Sequence, residues 1–512
     1  MAYRTITLKL PTDFTSEQLQ KKISKELRIS QFTYQIENKS LDARRKSNIF
    51  WQTKIVVNSP ELKGENEPEK EKLVIPFAKR KEQIVVVGSG PAGFFSALVL
   101  QKAGFKVTLI ERGSDVKKRG QSIRNFEKGG SFDSKNNYAF GEGGAGTFSD
   151  GKLTSRSKRI SLEKEFILSS YIKAGAPEEI AFMTHPHLGT DNLKKIVQNL
   201  RTEFEELGGK FLFETLFEDV LIKNSKIKEI KTSQGILEAD ALFIATGHSA
   251  YETYRMLIRR GIPFRTKNFA LGSRMEHRQE IINQAQWGKT NLPGVKAAEY
   301  RLTSPADGKH HVFSFCMCPG GIVVPAAAYE NTNIVNGMSY YQRNGMYANA
   351  ACVAGIHPDE LAGKEVSPID ALANLQELEE NFYRYSDGYN SPACSIKEFQ
   401  NMKNTGAKLG SSYPFELINA PLWELLPKTV VSSLQVGLLD FSRKMKGFES
   451  GNLLGFESKT SSPIQVIREK TGQVTNYDNL YMIGEGSGYA GGIISSAADG
   501  IKAAMHFIES SS

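Results

Sequence analysis

The sequence predicts an α/β chain. A doubly wound parallel unit is assembled from two distant stretches, an α+β domain is inserted between them, and a small βαββ unit precedes both. Three observations predict it. The apolar run Ile84–Val87 enters Gly88-Ser-Gly90-Pro91-Ala92-Gly93, and a helical segment follows. A second strand-like run, 239–244, ends in Ala245-Thr246-Gly247. A third, 479–483, ends in Gly484-Glu485-Gly486, ahead of a helical segment that opens at Gly491-Gly492-Ile493. The expected domains are 1–80, 81–265, 266–440 and 441–512.

Residues 5–10 read as a strand, 15–28 as an amphipathic helix with an N-cap at Thr15 or Ser16, and 31–39 and 48–57 as two more strands. The charged stretch 59–81 reads as a linker. Residues 190–208 look helical, and 210–246 alternate as short strands. The segment 262–440 is mixed, with strand-like runs at 270–277 and 310–318.

Composition excludes several classes. The 512 residues are 40% apolar, enough for packed cores. No apolar stretch reaches the roughly 18–20 residues of a membrane span, and the N-terminus lacks a signal-peptide apolar region. Four cysteines cannot form a disulfide framework, which agrees with a reducing compartment; a cytoplasmic location is expected. The net charge of +9 is modest for this length, so nucleic acid is not an expected partner.

The first glycine pattern has a physical task at each position. Gly88 makes the tight strand-to-helix turn, Gly90 lets a pyrophosphate approach the backbone, and Gly93 lets helix pack on strand. The helix N-terminus offers free N–H groups to the diphosphate. Glu111, 18 positions after Gly93, closes the next strand and can accept both hydroxyls of an adenosine ribose. It would repel a 2′-phosphate. Arg112 adjoins it.

The fingerprint does not choose between NAD and FAD, but the later runs do. A binding unit opened near residue 84 and closed near residue 500 suits a long cofactor held by both ends of the chain. The last helix can direct its N-terminal dipole at a flavin. The unit is therefore expected to be a Rossmann-like, glutathione-reductase-like FAD-binding domain. A second strand–glycine–helix unit is not visible. Gly143, Gly144 and Gly146 follow a polar segment rather than a buried strand, so NAD(P)H could act only without a dedicated domain. Cofactor contacts are also expected from Gly143, Gly144, Ala145, Gly146, Thr147, Ser149, Asp150, Gly151 and Lys152, from Val220, from Ala245, Thr246 and Gly247, and from Gly484, Glu485, Gly491, Gly492 and Ile493.

For catalysis the candidates are Cys316 and Cys318, two apart in a strand-like run and so on one face, and His277, which could move a proton near neutral pH. His248 is a further histidine that could face the pocket, and Arg274 and Arg343 could meet an anionic substrate. No metal-ligating set is visible. The expected activity is hydride transfer between a small-molecule substrate and FAD. A flavin-dependent RNA-modifying enzyme and a non-catalytic flavoprotein are the alternatives, the former suggested by basic Arg44-Arg45-Lys46.

Long segments carry a family resemblance: 40–46, 141–153, 185–193, 245–250, 273–277, 315–321, 336–343, 459–469 and 484–500. Over nearly its whole length the chain resembles the large bacterial FAD-dependent (FAD-utilising) dehydrogenases of the two-dinucleotide-binding flavoprotein superfamily. The resemblance implies FAD held by the first and last glycine segments, and it supplies no substrate. After 247–250 the family usually shows Arg-Asp; here the pair is Tyr251-Glu252.

Overall fold

The computed structural model describes residues 1–512 except 156, 407 and 512. At the N-terminus, β1 (Ala2–Leu10), α1 (Ser16–Leu27), β2 (Thr33–Asp42) and β3 (Phe50–Ser59) build an antiparallel sheet in the order β1-β3-β2. A capping box starts α1. The Thr15 hydroxyl accepts from the Gln18 N–H, and the Gln18 side chain accepts from the Thr15 N–H. Leu19 and Ile23, one turn apart, drop into a small core with Trp51, Ile55 and Val57. Of the three basic residues after β2, Arg44 folds back onto Asp42 and Lys46 lies over Gly288.

Residues 60–82 carry no helix or strand beyond single-residue bridging at Asn66. The chain then enters β4 (Gln83–Val87), α2 (Pro91–Lys102), β5 (Lys106–Ile110) and β6 (Lys210–Leu212). A meander of β7 (Phe217–Lys223), β8 (Lys226–Thr232) and β9 (Gly235–Glu238) leads to β10 (Ala241–Ile244) and β11 (Phe264–Thr266).

The second domain follows: β12 (Phe269–Arg278), β13 (Thr303–Ser304), β14 (Val312–Cys318), a hairpin of β15 (Ile322–Pro325) and β16 (Val335–Met338), β17 (Tyr347–Ile356), β18 (Ser391–Ser395), β19 (Leu417–Asn419) and β20 (Asn452–Glu457). β21 (Ile464–Val466), β22 (Leu480–Met482) and the C-terminal helix (Ile493–Ser510) return to the first.

Two sheets organise these strands. One is parallel, β22-β10-β4-β5-β6. Helices cover it, so its central strands are apolar throughout, as in Ile84–Val87 and Ala241–Ile244. The other has the order β13-β14-β17-β12-β20-β18-β19 and is antiparallel except for β18 with β19.

This topology moves one expected boundary. Position 441 falls inside a single helix, Lys428–Lys444, and β20 pairs with β12 and β18. The second sheet is complete only at Glu457, so the chain returns to the first domain after it.

Close backbone approaches bring two helix starts together. At Gly93 a Cβ would lie 1.9 Å from the Gly88 carbonyl oxygen, and at Gly500 one would lie 2.1 Å from that of Ala92. Only hydrogen fits at either point. α2 and the C-terminal helix therefore pack in contact, with both N-termini at the carboxyl edge of the parallel sheet. That edge is where open α/β sheets bind ligands.

Candidate active site

A cleft of about 1380 Å³ opens along that edge. This exceeds the roughly 300–1,000 Å³ of a drug-sized pocket. The turn Gly88–Ala92 and the start of the C-terminal helix, Gly491–Ile493, line the same cavity, and β14 closes it with residues 312–317. Residues 82 to 93 and 480 to 493 thus converge, although about 400 positions separate them.

The cavity fits an extended dinucleotide. Gly90, Gly247, Gly491 and Gly492 line it, and a Cβ on any of them would meet no protein atom closer than 3.8 Å. The backbone is bare where a ligand would approach. Two helix N-termini, each carrying partial positive charge, suit a diphosphate and an electron-rich ring. His248 lines the cavity and its buried Nε2 has no partner among the described residues, while its Nδ1 lies 3.5 Å from Glu485.

Other residues named from the sequence also line this cavity: Glu111, Arg112, Gly144, Ala145, Gly146, Ser149, Gly151, Lys152, Ala245, Thr246, Gly484, Glu485 and Cys316. Glu111 is already engaged. Its carboxylate accepts from the Ser89 N–H and hydroxyl (3.1 and 2.7 Å) and from the N–H groups of Gly113 and Gly141 (3.0 and 3.1 Å). A carboxylate has about four acceptor sites. A ribose would therefore have to displace the Ser89 hydroxyl. Arg112 lies over the Phe140 ring, 3.9 Å from its centroid, and is held by Glu252, which gives the second of the two residues that depart from the family pattern after 250 a contact at this end of the cleft.

Several expected residues stand behind the wall instead. Gly93 serves helix packing. Gly143 and Thr147 face each other around a small void beneath the glycine loop. Asp150 is fully buried, with Arg343 Nε and Nη2 donating at 3.1 and 2.6 Å. Val220 is in the hydrophobic core on β7; the segment that reaches the cleft is Thr215–Phe217, a few residues earlier. Alternation along β7 turns Val220 inward, and residue type alone did not tell the core from the cleft.

His277 is a correction. It is 2% exposed, its Nε2 meets the Phe448 carbonyl at 2.7 Å, and it packs on Phe448, away from the cleft. Burial pushes its pKa down to about 4, so it is neutral at working pH. Because the folded value lies below the unfolded one, its stabilising effect is full above about pH 6.5 and is lost as pH falls towards 4. His277→Gln should remove a contribution on the order of 3 kcal/mol from that acid slope, seen in denaturant midpoints measured across the range.

Arg274 is also withdrawn from substrate binding. Its guanidinium is 0% exposed and meets Glu457 Oε2 (3.0 Å), Asn349 Oδ1 (2.9 Å), Asn336 Oδ1 (3.1 Å) and the Cys316 carbonyl (2.8 Å). The thiols do not follow simple alternation either. A bulge separates Phe315 from Cys318 on β14, and Cys316 adopts φ +46°. Cys316 reaches the cleft, whereas Cys318 is 0% exposed behind it.

Charged side chains from distant segments also meet in the cleft. Glu299 faces Lys152 (3.5 Å) and His185 (2.5 Å), and these charges hold its carboxyl well below the usual range against its burial. Lys459 meets Glu379 at 2.7 Å and touches the Tyr251 hydroxyl, and burial lowers its pKa. The N-terminal sheet supports this wall from outside. The Lys39 N–H donates to Phe182 O (2.8 Å) and the Thr184 N–H to Lys39 O (3.0 Å), next to His185. No helix among the described residues is long and apolar enough to cross a membrane.

Comparison with known proteins agrees with the architecture. Residues 82–285 match the family described as pyridine nucleotide-disulphide oxidoreductase. Residues 268–460 match the one described as FAD-dependent protein, C-terminal domain-like, and residues 2–58 a domain of unknown function. An uncharacterized protein of Clostridium beijerinckii is 39% identical over 532 residues, covering 99% of each chain. L-amino-acid oxidase of Siganus canaliculatus is 38% identical over 55 residues, 11% of this chain and 10% of the other. Among solved structures, L-proline dehydrogenase from P. horikoshii shares 14% identity over 85% of this chain and 95% of its own at TM-score 0.36, too distant to carry an argument. The full-length relative and the two matches spanning both sheets place the chain: it belongs to the bacterial family of FAD-dependent dehydrogenases and is an FAD-dependent oxidoreductase.

Proposed function

We propose that this oxidoreductase acts in the cytoplasm on a small molecule that enters by the open mouth of the cleft and binds against β14. FAD would be held with its adenosine end by Arg112 and Thr215–Phe217, its diphosphate over Gly90, and its ring end near Gly492 and Ile493. When bound, FAD supplies a two-electron, hydride-accepting ring. The chain does the rest. The start of the C-terminal helix stabilises negative charge, β14 excludes water, and Lys152, Glu299 and Lys459 orient polar groups of the substrate. NAD(P)H, if it is the donor, would enter by the same mouth. One observation carries this reading: a single cavity touches both Gly88–Gly90 and Gly491–Ile493 and is walled by the second sheet.

The test is anaerobic reduction of the purified protein by a panel of metabolites with NADH and NADPH included. Bleaching of a flavin spectrum by one compound is expected. A protein that neither carries nor takes up FAD would overturn the reading.

A further inference from the structure

Cys316 and Cys318 sit in an environment that thiols of a plain core do not have. Cys316 lies at the bulge of β14 with φ +46°, a conformation that is uncommon outside glycine and concentrates at functional sites. It lines the cleft. The Cys318 thiol donates to the Cys316 carbonyl at 3.3 Å, and Arg274 Nη2 lies 3.5 Å from the Cys318 sulfur. A guanidinium with no exposure is thus aimed at the pair. Lys152 on the cleft wall, and buried Asp150 with its partner Arg343, are further charged groups whose fields reach the pair.

We propose that Cys316 and Cys318 form a reactive dithiol within the cleft wall, in which Cys316 attacks a small disulfide and Cys318 resolves the mixed disulfide. The Cys316 thiolate forms a bond to one substrate sulfur, and the substrate S–S bond breaks to release one thiolate. Cys318 then gives up its proton and attacks the Cys316 sulfur, releasing the second substrate thiol. The substrate disulfide gains two electrons, and the two cysteines lose them as a Cys316–Cys318 disulfide. An added small thiol reverses the sequence. A lone nucleophile would need only Cys316. The buried thiol directly behind it is what makes exchange the favoured chemistry.

The acidities are arranged for these roles. The adjoining Cys318 thiol, opposed by burial and aided by Arg274 and Lys152, lowers the Cys316 thiol below the ordinary range, while the same pairing and burial push Cys318 up. Cys352 and Cys394 are buried and raised, Cys394 to about 12, so they stay inert.

The probe is 5,5′-dithiobis(2-nitrobenzoate), an anionic aromatic disulfide, applied to the full chain as purified. Native protein should release two coloured thiolates rapidly and end lighter by two hydrogens, with no adduct. Cys318→Ser should release one and keep the adduct. Cys316→Ser should release none on that timescale. The rate should reach half its maximum at a pH below the roughly 8.5 of an ordinary thiol. A stable adduct on the native protein, reaction of Cys316→Ser at the native rate, or no reaction at all would each overturn the proposal. None of these readouts depends on turnover of the flavin.

Discussion

Gly90→Val should yield a folded protein without flavin. Gly90 is the N-cap of α2, with φ −65° and ψ 175°, a conformation open to any residue. A Cβ there meets only the Gly144 Cα, at 3.9 Å, so the chain itself has room for the valine. The branch would project where the diphosphate must approach the helix start. An affinity loss of at least about 100-fold is expected, roughly 2.7 kcal/mol. The ratio of flavin to protein absorbance, before and after adding FAD, measures it. Gly93→Val is the contrast: its Cβ would fall 1.9 Å from the Gly88 oxygen, so flavin should be lost there through unfolding, with a lowered thermal midpoint. Unchanged flavin content in Gly90→Val would mean that the cofactor lies elsewhere.

The second large effect concerns Arg343→Met. Arg343 reaches from the second domain to Asp150 of the first, and Asp150 has Ser339 as its other side-chain partner. Burial raises the Asp150 carboxyl, but Arg343 and Lys152 outweigh it and hold it below the ordinary 3.8. A lowered carboxylate pKa contributes stability that is present above about pH 3.8 and lost as pH falls through the folded value. Removing the arginine leaves a buried charge with one hydroxyl, and breaking such a pair costs about 3–5 kcal/mol. The loss should be largest at neutral pH and shrink in acid, where Asp150 can take up a proton. Asp150→Asn in the same background should restore part of it. Denaturant midpoints complete the cycle, and a deficit under about 1 kcal/mol at pH 7 would remove the pair from the forces joining the two domains.

The residues that local pattern exposed were those whose role depends on neighbours in the chain. Ile84–Val87, the following glycines and Glu111 belong to one strand–turn–helix–strand unit, and its hydrophobic run and turn chemistry are visible in about thirty consecutive positions. Thr15 announced a helix start for the same reason. The pairing of β20 with β12 was not visible, because nothing within 441–457 says which sheet it joins. Nor was the direction of His277, since burial on both faces of β12 erases the alternation that would have told inside from cleft, nor that of Val220, whose inward face could have met either core or cavity.

Amino-acid order alone was enough for the existence of a dinucleotide-binding unit, its cofactor class and the two stretches that build it. Which side chains reach the cavity was settled by folding. Cys316 rather than His277 faces it, and Asp150 is spent on Arg343, 193 positions away. Backbone turns and apolar periodicity are short-range properties, written where they act. The exposure of a polar group depends on which distant element packs against it, and that follows only from the whole chain's burial of its apolar surface.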